Sequence, residues 1–291
     1  MPDLFGRVAI LGLGLMGGSL GLAIGDARLA GTVAGYDSMP GRTGRAHERG
    51  AIDEPATTLA DAVVDADLVV LAAPVLAERV LLAALAPHLA PGAIVTDLAS
   101  TKSAVCGWAS ALLPDPAPFV GGHPMAGREQ SGIEAADGGL FRGAVWCLTP
   151  TDQTDPDTLA RLQSLVTALG AQPLVLDAAR HDQLVAAVSH LPLVAAAALV
   201  RTVAADPAWP DAARLAASGF RDTTRVASGD PLMARDICLT NAAGILPWMD
   251  AYIAELQSIR AVLAAGDAAI EQIFTAARDA RDAWLREREV R

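Results

Sequence analysis

Residues 7–24 read RVAILGLGLMGGSLGLAI. A short run of Val, Ala, Ile and Leu stops at a cluster of glycines, and small apolar residues then recur at helical spacing. That order predicts strand, tight turn and helix. Within the turn, Gly12, Gly14 and Gly17 spell G-x-G-x-x-G. Each position needs a missing side chain: one for the turn, one to let backbone approach a pyrophosphate, and one for close strand–helix packing.

The same signature asks for an acidic residue about 20 positions further on. Asp37 supplies it, closing the next strand-like stretch, TVAGYD (32–37). A carboxylate there takes both ribose hydroxyls and repels a 2′-phosphate, so NAD is expected over NADP. Arg42 and Arg45 follow closely and pull the other way.

Further strand patterns lie at ADLVVLAAP (66–74), GAIVTDLAS (92–100), FVGG before His123, AVWCLTP (144–150) and AQPLVLD (171–177). Helical patterns fill the gaps, notably 76–89 and 157–169. Such alternation implies a parallel sheet covered on both faces, an α/β Rossmann-type domain spanning residues 1–177. Pro74, at the end of its strand, joins the three glycines and Asp37 as a cofactor-binding candidate. From Ala178 the strand signals cease, and residues 178–291 read as an all-α domain. Its helical patterns break at ADPAWPD (205–211) and SGDP (228–231), and the charged tail reads as a solvated helix.

The 291 residues carry a net charge of −11, which argues against nucleic acid and anionic membranes as partners. An anionic substrate must then be held by local cations. Cys106, Cys147 and Cys238 lie far apart, as expected of a reducing cytoplasm and of a chain without a metal site. Hydrophobic residues reach 52%, a share that suits tight packing or an oligomer interface. The most apolar window, 184–205, includes Ser189, His190, Pro192 and Arg201, so it reads as a buried or interface helix rather than a membrane span.

Three polar stretches stand out. Of 22 basic residues only Lys102 is lysine. It lies in DLASTKSAV (97–105), just past a strand, at the edge where parallel sheets bind ligands. Asp97, Ser100 and Lys102 there form a polar cluster beside the nicotinamide, or Ser100 or Thr101 simply caps the next helix. His123, in GGHPMAGREQSG (121–132), is held out of helix by glycines before it and Pro124 after it. An unperturbed imidazole titrates near pH ~6.5, which suits a base accepting a hydroxyl proton. In GFRDTTRVASGDP (219–231), Arg221 and Arg225 interrupt apolar helices and suit a carboxylate clamp, with salt bridges to Asp222 or Asp230 as the alternative.

Together GLGLMGGSLG (12–21), DLASTKSAV, GGHPMAGREQSG, AVSHLP (187–192) and GFRDTTRVASGDP resemble the TyrA family of prephenate and arogenate dehydrogenases. The resemblance implies a helical domain that forms a homodimer, and NAD-dependent oxidative decarboxylation of a small anionic cyclohexadienol. By position it makes His123 the catalytic histidine that takes the ring hydroxyl proton. Ser100 matches the serine between that histidine and the nicotinamide, and Arg225 the arginine that pairs with a substrate carboxylate. Lys102 and His190 join the substrate-binding candidates. Leu193 departs from the second histidine that many prephenate-using relatives carry after Ser-His-Leu-Pro, and resembles some arogenate-using relatives. Glu129 is a candidate partner for the amine that distinguishes arogenate from prephenate, or it merely opens a helix after the turn. Other readings are a β-hydroxyacid dehydrogenase or imine reductase of similar build, and a non-catalytic NAD-binding regulator.

Overall fold

The computed structural model describes residues 4–113 and 119–289. Its strands are β1 Phe5–Leu11, β2 Ala30–Tyr36, β3 Glu54–Pro55, β4 Leu68–Leu71, β5 Ile94–Asp97, β6 Phe119–Pro124, β7 Val145–Thr149 and β8 Gln172–Val175. They form one sheet in the order β3-β2-β1-β4-β5-β6-β7-β8. The expected strands are all present; β3, two residues long, carries no hydrophobic pattern to announce it.

Every neighbouring pair is parallel except β6 and β7, which run antiparallel. The expectation of a parallel sheet fails at that pair for a local reason. A parallel return needs a crossover element, and residues 125–144 hold only the short 3-10 helix Ile133–Ala135. The crossover resumes with the helix Pro156–Ala168, which carries β7 into a parallel β8.

Alternate side chains on the central strands divide between two cores. Val8, Ile10, Leu68 and Val70 pack with Leu20 and Ile24 on one face. Ala9, Leu11, Val69 and Leu71 pack with Val75, Leu82 and Leu85 on the other. Burial of each larger aliphatic side chain contributes about 1.5–3 kcal/mol, so both faces of the sheet are closed, as the near-continuous apolar runs of β1 and β4 require.

Beyond Val175 the chain is helical. Ala178–Val185 continues through the π-helical turn Ala186–His190 into Leu191–Ala204. Then come Trp209–Leu215, Ser218–Thr224, the 3-10 helix Arg225–Ser228, Pro231–Thr240, Ala242–Ala265 and Ile270–Glu289. Residues 218–228 are helical, and the break expected at SGDP (228–231) is present. The interruption is confined to Gly229 and Asp230, where the Asp230 carboxylate caps the next helix by accepting from the Leu232 amide at 2.8 Å.

By contact the chain divides into two compact units, one up to Gly244 and one from Ile245. In the second, Tyr252, Ile253, Leu256 and Phe274 stay largely exposed. The run Ala178–Ala204 is long and apolar enough to cross a bilayer by length and composition, and 22% of its most apolar window is buried inside the chain. Burial inside the chain therefore does not account for its apolarity.

Candidate active site

The order of the sheet reverses at β1, whose neighbours are β2 and β4, and ligands of such sheets bind in the crevice beyond the strand ends there. Gly12 ends β1 with φ +104°, and a Cβ on it would stand 2.6 Å from the Ala72 carbonyl oxygen after β4. A Cβ on Gly17 would stand 1.9 Å from the Gly12 carbonyl oxygen. Both glycines are therefore obligatory for the turn. Around Gly14 a Cβ would meet nothing within 4 Å, which is the open side a pyrophosphate needs. Gly14 precedes the helix Leu15–Ala27, whose first turn holds no acidic residue and whose end has no side-chain cap. Its free amides suit an anion.

Asp37 closes β2 with its carboxylate held in place. It accepts from the Leu13 amide at 2.8 Å and the Met39 amide at 2.8 Å, with the Arg42 guanidinium at 3.3 Å. The residues present fit a dinucleotide: glycine backbone and helix end for the pyrophosphate, Asp37 for the adenosine ribose. Pro74 stands exposed at the neighbouring strand end, just before the helix Val75–Leu85.

Along the same edge, β5 and β6 carry the reactive candidates. Ser100 is half-buried in the bend after β5, and His123 lies at the end of β6. Lys102 is wholly buried, and its ammonium is shared between the Asp97 carboxylate and the Gly122 carbonyl, the latter at 2.6 Å. The Gly122 amide donates back to Asp97 Oδ1 at 2.8 Å. An ammonium so enclosed anchors the peptide before His123.

The glycines of GGHP have a similar role. A Cβ on Gly122 would press within 2.4 Å of the Asp97 carbonyl oxygen, and one on Gly121 within 2.4 Å of Thr149 Oγ1. They let neighbouring strands close rather than leaving room for a ligand.

His123 is 8% exposed. Burial first, then electrostatic interaction with His181, Lys102 and His190, pushes its pKa well below the ordinary 6.5. It is therefore a neutral imidazole at physiological pH, a weaker base than an unperturbed one but always in the unprotonated form. Its Nδ1 lies 2.8 Å from His181 Nε2, and His181 Nδ1 lies 2.9 Å from Asp182 Oδ1. Burial works to raise the Asp182 pKa, but hydrogen bonds from His181 and from the Lys102 and Ser103 amides together hold it below the usual carboxylate range. Those amides donate to Asp182 at 2.8 and 2.9 Å. The cap of the helix Ser103–Leu112 thus comes from a distant carboxylate, not from Ser100 or Thr101. Thr101 instead meets Thr240, hydroxyl to hydroxyl, at 2.8 Å.

His190 joins the cluster through Asn241, whose Nδ2 donates to the Asp182 carbonyl at 2.8 Å and to His190 Nδ1 at 3.1 Å. An amide that donates to Nδ1 leaves the proton of neutral His190 on Nε2. That buried N–H finds no acceptor among the described residues, and burial lowers the His190 pKa to about 4. Glu78 is buried beside Asp97 and Lys102. Burial, then the charge of Asp97, raises its pKa well above 4.5, so it is protonated.

Arg225 and Glu129, separated by nearly a hundred residues in sequence, form an ion pair. Arg221 instead binds the adjacent Asp222 at 2.8 Å on the surface, the alternative its sequence context left open. Glu129 opens no helix; the chain stays irregular until Ile133.

Two family models match the chain. The prephenate dehydrogenase nucleotide-binding domain covers residues 20–175, and the prephenate dehydrogenase dimerization domain covers residues 177–276. The chain belongs to the prephenate dehydrogenase family. It is an NAD-dependent oxidoreductase. A prephenate dehydrogenase of Bacillus subtilis is 37% identical over 97% of this chain and 77% of that protein. The crystal structure of the A. aeolicus prephenate dehydrogenase with hydroxyphenyl propionate and NAD+ superposes with a TM-score of 0.88, at 31% identity over 96% of this chain and 98% of that one. A Synechocystis arogenate dehydrogenase has a TM-score of 0.79, at 34% identity over 96% and 99%.

Within this family frame, the structure brings Ser100 and His123 to one sheet edge and links His190 to His123 through Asn241, Asp182 and His181. It joins Arg225 to Glu129 and withdraws Lys102 into the interior. His181, Asp182, Asn241 and Glu78 escaped the sequence reading. The adjacent His-Asp pair opening the first helix after the last strand was the one signal available for the first two.

Proposed function

We propose that this chain is a prephenate dehydrogenase, converting prephenate to 4-hydroxyphenylpyruvate and carbon dioxide. NAD, held by the Gly12–Gly17 turn and Asp37, would supply the hydride acceptor for ring C4. His123 takes the proton of the C4 hydroxyl as the hydride leaves and returns it to the phenolate oxygen that decarboxylation creates. Ser100, on the neighbouring strand end, orients that hydroxyl. Arg225 holds a substrate carboxylate, and the unpartnered N–H of His190 offers a second donor for the substrate. Loss of carbon dioxide from C1 drives aromatisation, so few protein groups are needed.

The observation that carries this reading is a buried, neutral histidine at the strand edge next to the dinucleotide crevice. A non-catalytic NAD-binding regulator has no use for such a base. Arogenate is the second reading. Leu193 stands in its favour, as does the likeness to the Synechocystis arogenate dehydrogenase. Against it, Glu129 is already engaged by Arg225 rather than free for an amine. We place the boundary between the dinucleotide-binding and helical parts after residue 177, and assign the apolar stretch 180–205 to a homodimer interface in a cytoplasmic enzyme.

The deciding measurement is NADH formation with prephenate and with arogenate, each with NAD and NADP. The expected result is turnover of prephenate with NAD, reduced by about 10²–10⁴-fold in His123→Asn with substrate binding roughly kept. Wild-type turnover in His123→Asn would refute the proton role.

A further inference from the structure

A neutral imidazole has one N–H and one lone pair, so a base of this kind works only if its proton rests on the nitrogen away from the substrate. Nothing in the sequence says which nitrogen of His123 carries it. The hydrogen-bond chain behind the ring does.

Asp182 is ionised and accepts only; its two oxygens take the Lys102 and Ser103 amides, and Oδ1 also faces His181 Nδ1. His181 Nδ1 must therefore carry a proton. With that single proton on its ring, His181 presents a lone pair at Nε2, and the partner 2.8 Å away, His123 Nδ1, donates to it. The proton of His123 is thereby fixed on Nδ1. We propose that His181 and Asp182 are positioning residues that hold His123 as its Nδ1–H tautomer, leaving Nε2 as the one basic nitrogen. The inference rests on reading His123 as the base of the proposed reaction.

The chain of acceptors is anchored rather than floppy. His181 and Asp182 are buried, and Asp182 is locked onto the N-terminus of the helix Ser103–Leu112. The ring of His181 stands edge-on to that of His123, at 69° with centroids 5.0 Å apart, so one hydrogen bond fixes orientation as well as tautomer. Asn241 holds the Asp182 carbonyl, which ties the helical part of the chain into the same support. As the substrate proton reaches Nε2, the Asp182 carboxylate, acting through His181, stabilises the imidazolium that forms.

The test uses the full-length enzyme and three variants. In His181→Gln the side-chain carbonyl can still accept from His123 Nδ1–H and the amide can still donate to Asp182; in His181→Leu neither is possible. Asp182→Asn keeps the shape but removes the charge and turns one of the two accepting oxygens into a donor, which faces either His181 Nδ1–H and the Lys102 amide or the Ser103 amide. Ring ¹⁵N NMR, with His123 assigned by difference from His123→Asn, is expected to show the Nδ1–H form in wild type and in His181→Gln. The Nε2–H form should gain in His181→Leu and Asp182→Asn. Their kcat should fall by about 10²-fold or more with KM for NAD near wild type, measured below the thermal midpoint of each variant, while His181→Gln stays within about tenfold. An Nε2–H signature for wild-type His123, or wild-type turnover in His181→Leu, overturns the proposal. If wild type turns over neither prephenate nor arogenate, the functional reading falls, and the ¹⁵N signature still decides the tautomer.

Discussion

Arg225 and Glu129 meet as an ion pair, the guanidinium 62% and the carboxylate 32% exposed. A carboxylate of the protein thus occupies the cation proposed to receive a carboxylate of the substrate. Exposed pairs of this kind contribute little stability, so the pair matters for binding rather than for folding.

Arg225→Ala should therefore raise KM for prephenate by about 10–100-fold, the loss expected of a charge-assisted hydrogen bond, while kcat changes far less. Steady-state kinetics decides it; a fall in kcat at unchanged KM contradicts the anchor.

Glu129→Gln separates the two substrates. Removing the competing charge should lower KM for prephenate or leave it unchanged. If instead Glu129 serves an amine, the same variant raises KM for arogenate selectively, and kinetics with both substrates tells the cases apart.

Asp37 sets cofactor choice. Asp37→Ser removes the charge that repels a 2′-phosphate and frees Arg42 to attract one, so the preference for NAD over NADP should fall by about tenfold or more. Some loss with NAD is also expected, because the Asp37 carboxylate braces the Leu13 amide in the glycine turn.

Two buried groups make opposite contributions to stability against pH. His190 has its pKa lowered from 6.5 to about 4. The unfolded chain binds the extra proton between those values, so stability falls as pH drops through that window. Ring chemical shifts should show His190 still neutral at about pH 5.5. Glu78 is raised above 4.5, so the folded chain holds the extra proton and stability falls as pH rises from there. Glu78→Gln should be neutral or stabilising near pH 7, and a drop of several degrees in thermal midpoint would contradict the protonated state.

The first half of the fold was legible because its signals are local. Glycine spacing, apolar runs and one acidic residue specify strand, turn and helix without reference to anything distant. Strand direction is not local: the pattern of AVWCLTP is the same whether β7 runs with β6 or against it, and only the missing crossover element in 125–144 distinguishes them. His123 and Arg225 were visible through unusual settings. Lys102 was visible through its rarity, but its role depends on whether the ammonium faces a crevice or the interior, which one residue's neighbours in sequence do not encode. His181 and Asp182 act on His123 across 58 residues, a coupling that only folding creates.

The reversal at β6 has a further consequence. Because β7 comes back antiparallel, residues 125–144 join two strand ends at the ligand edge, where the other connections of the sheet pass along its faces. This connection carries Glu129 in its irregular first part, before Ile133, whereas Ile133, Ala136 and Phe141 belong to the sheet's core. The stretch around Glu129 can therefore vary while the catalytic strand ends stay fixed. Substrate preference within this architecture can drift at one hinge of irregular chain, independently of the machinery that removes the proton.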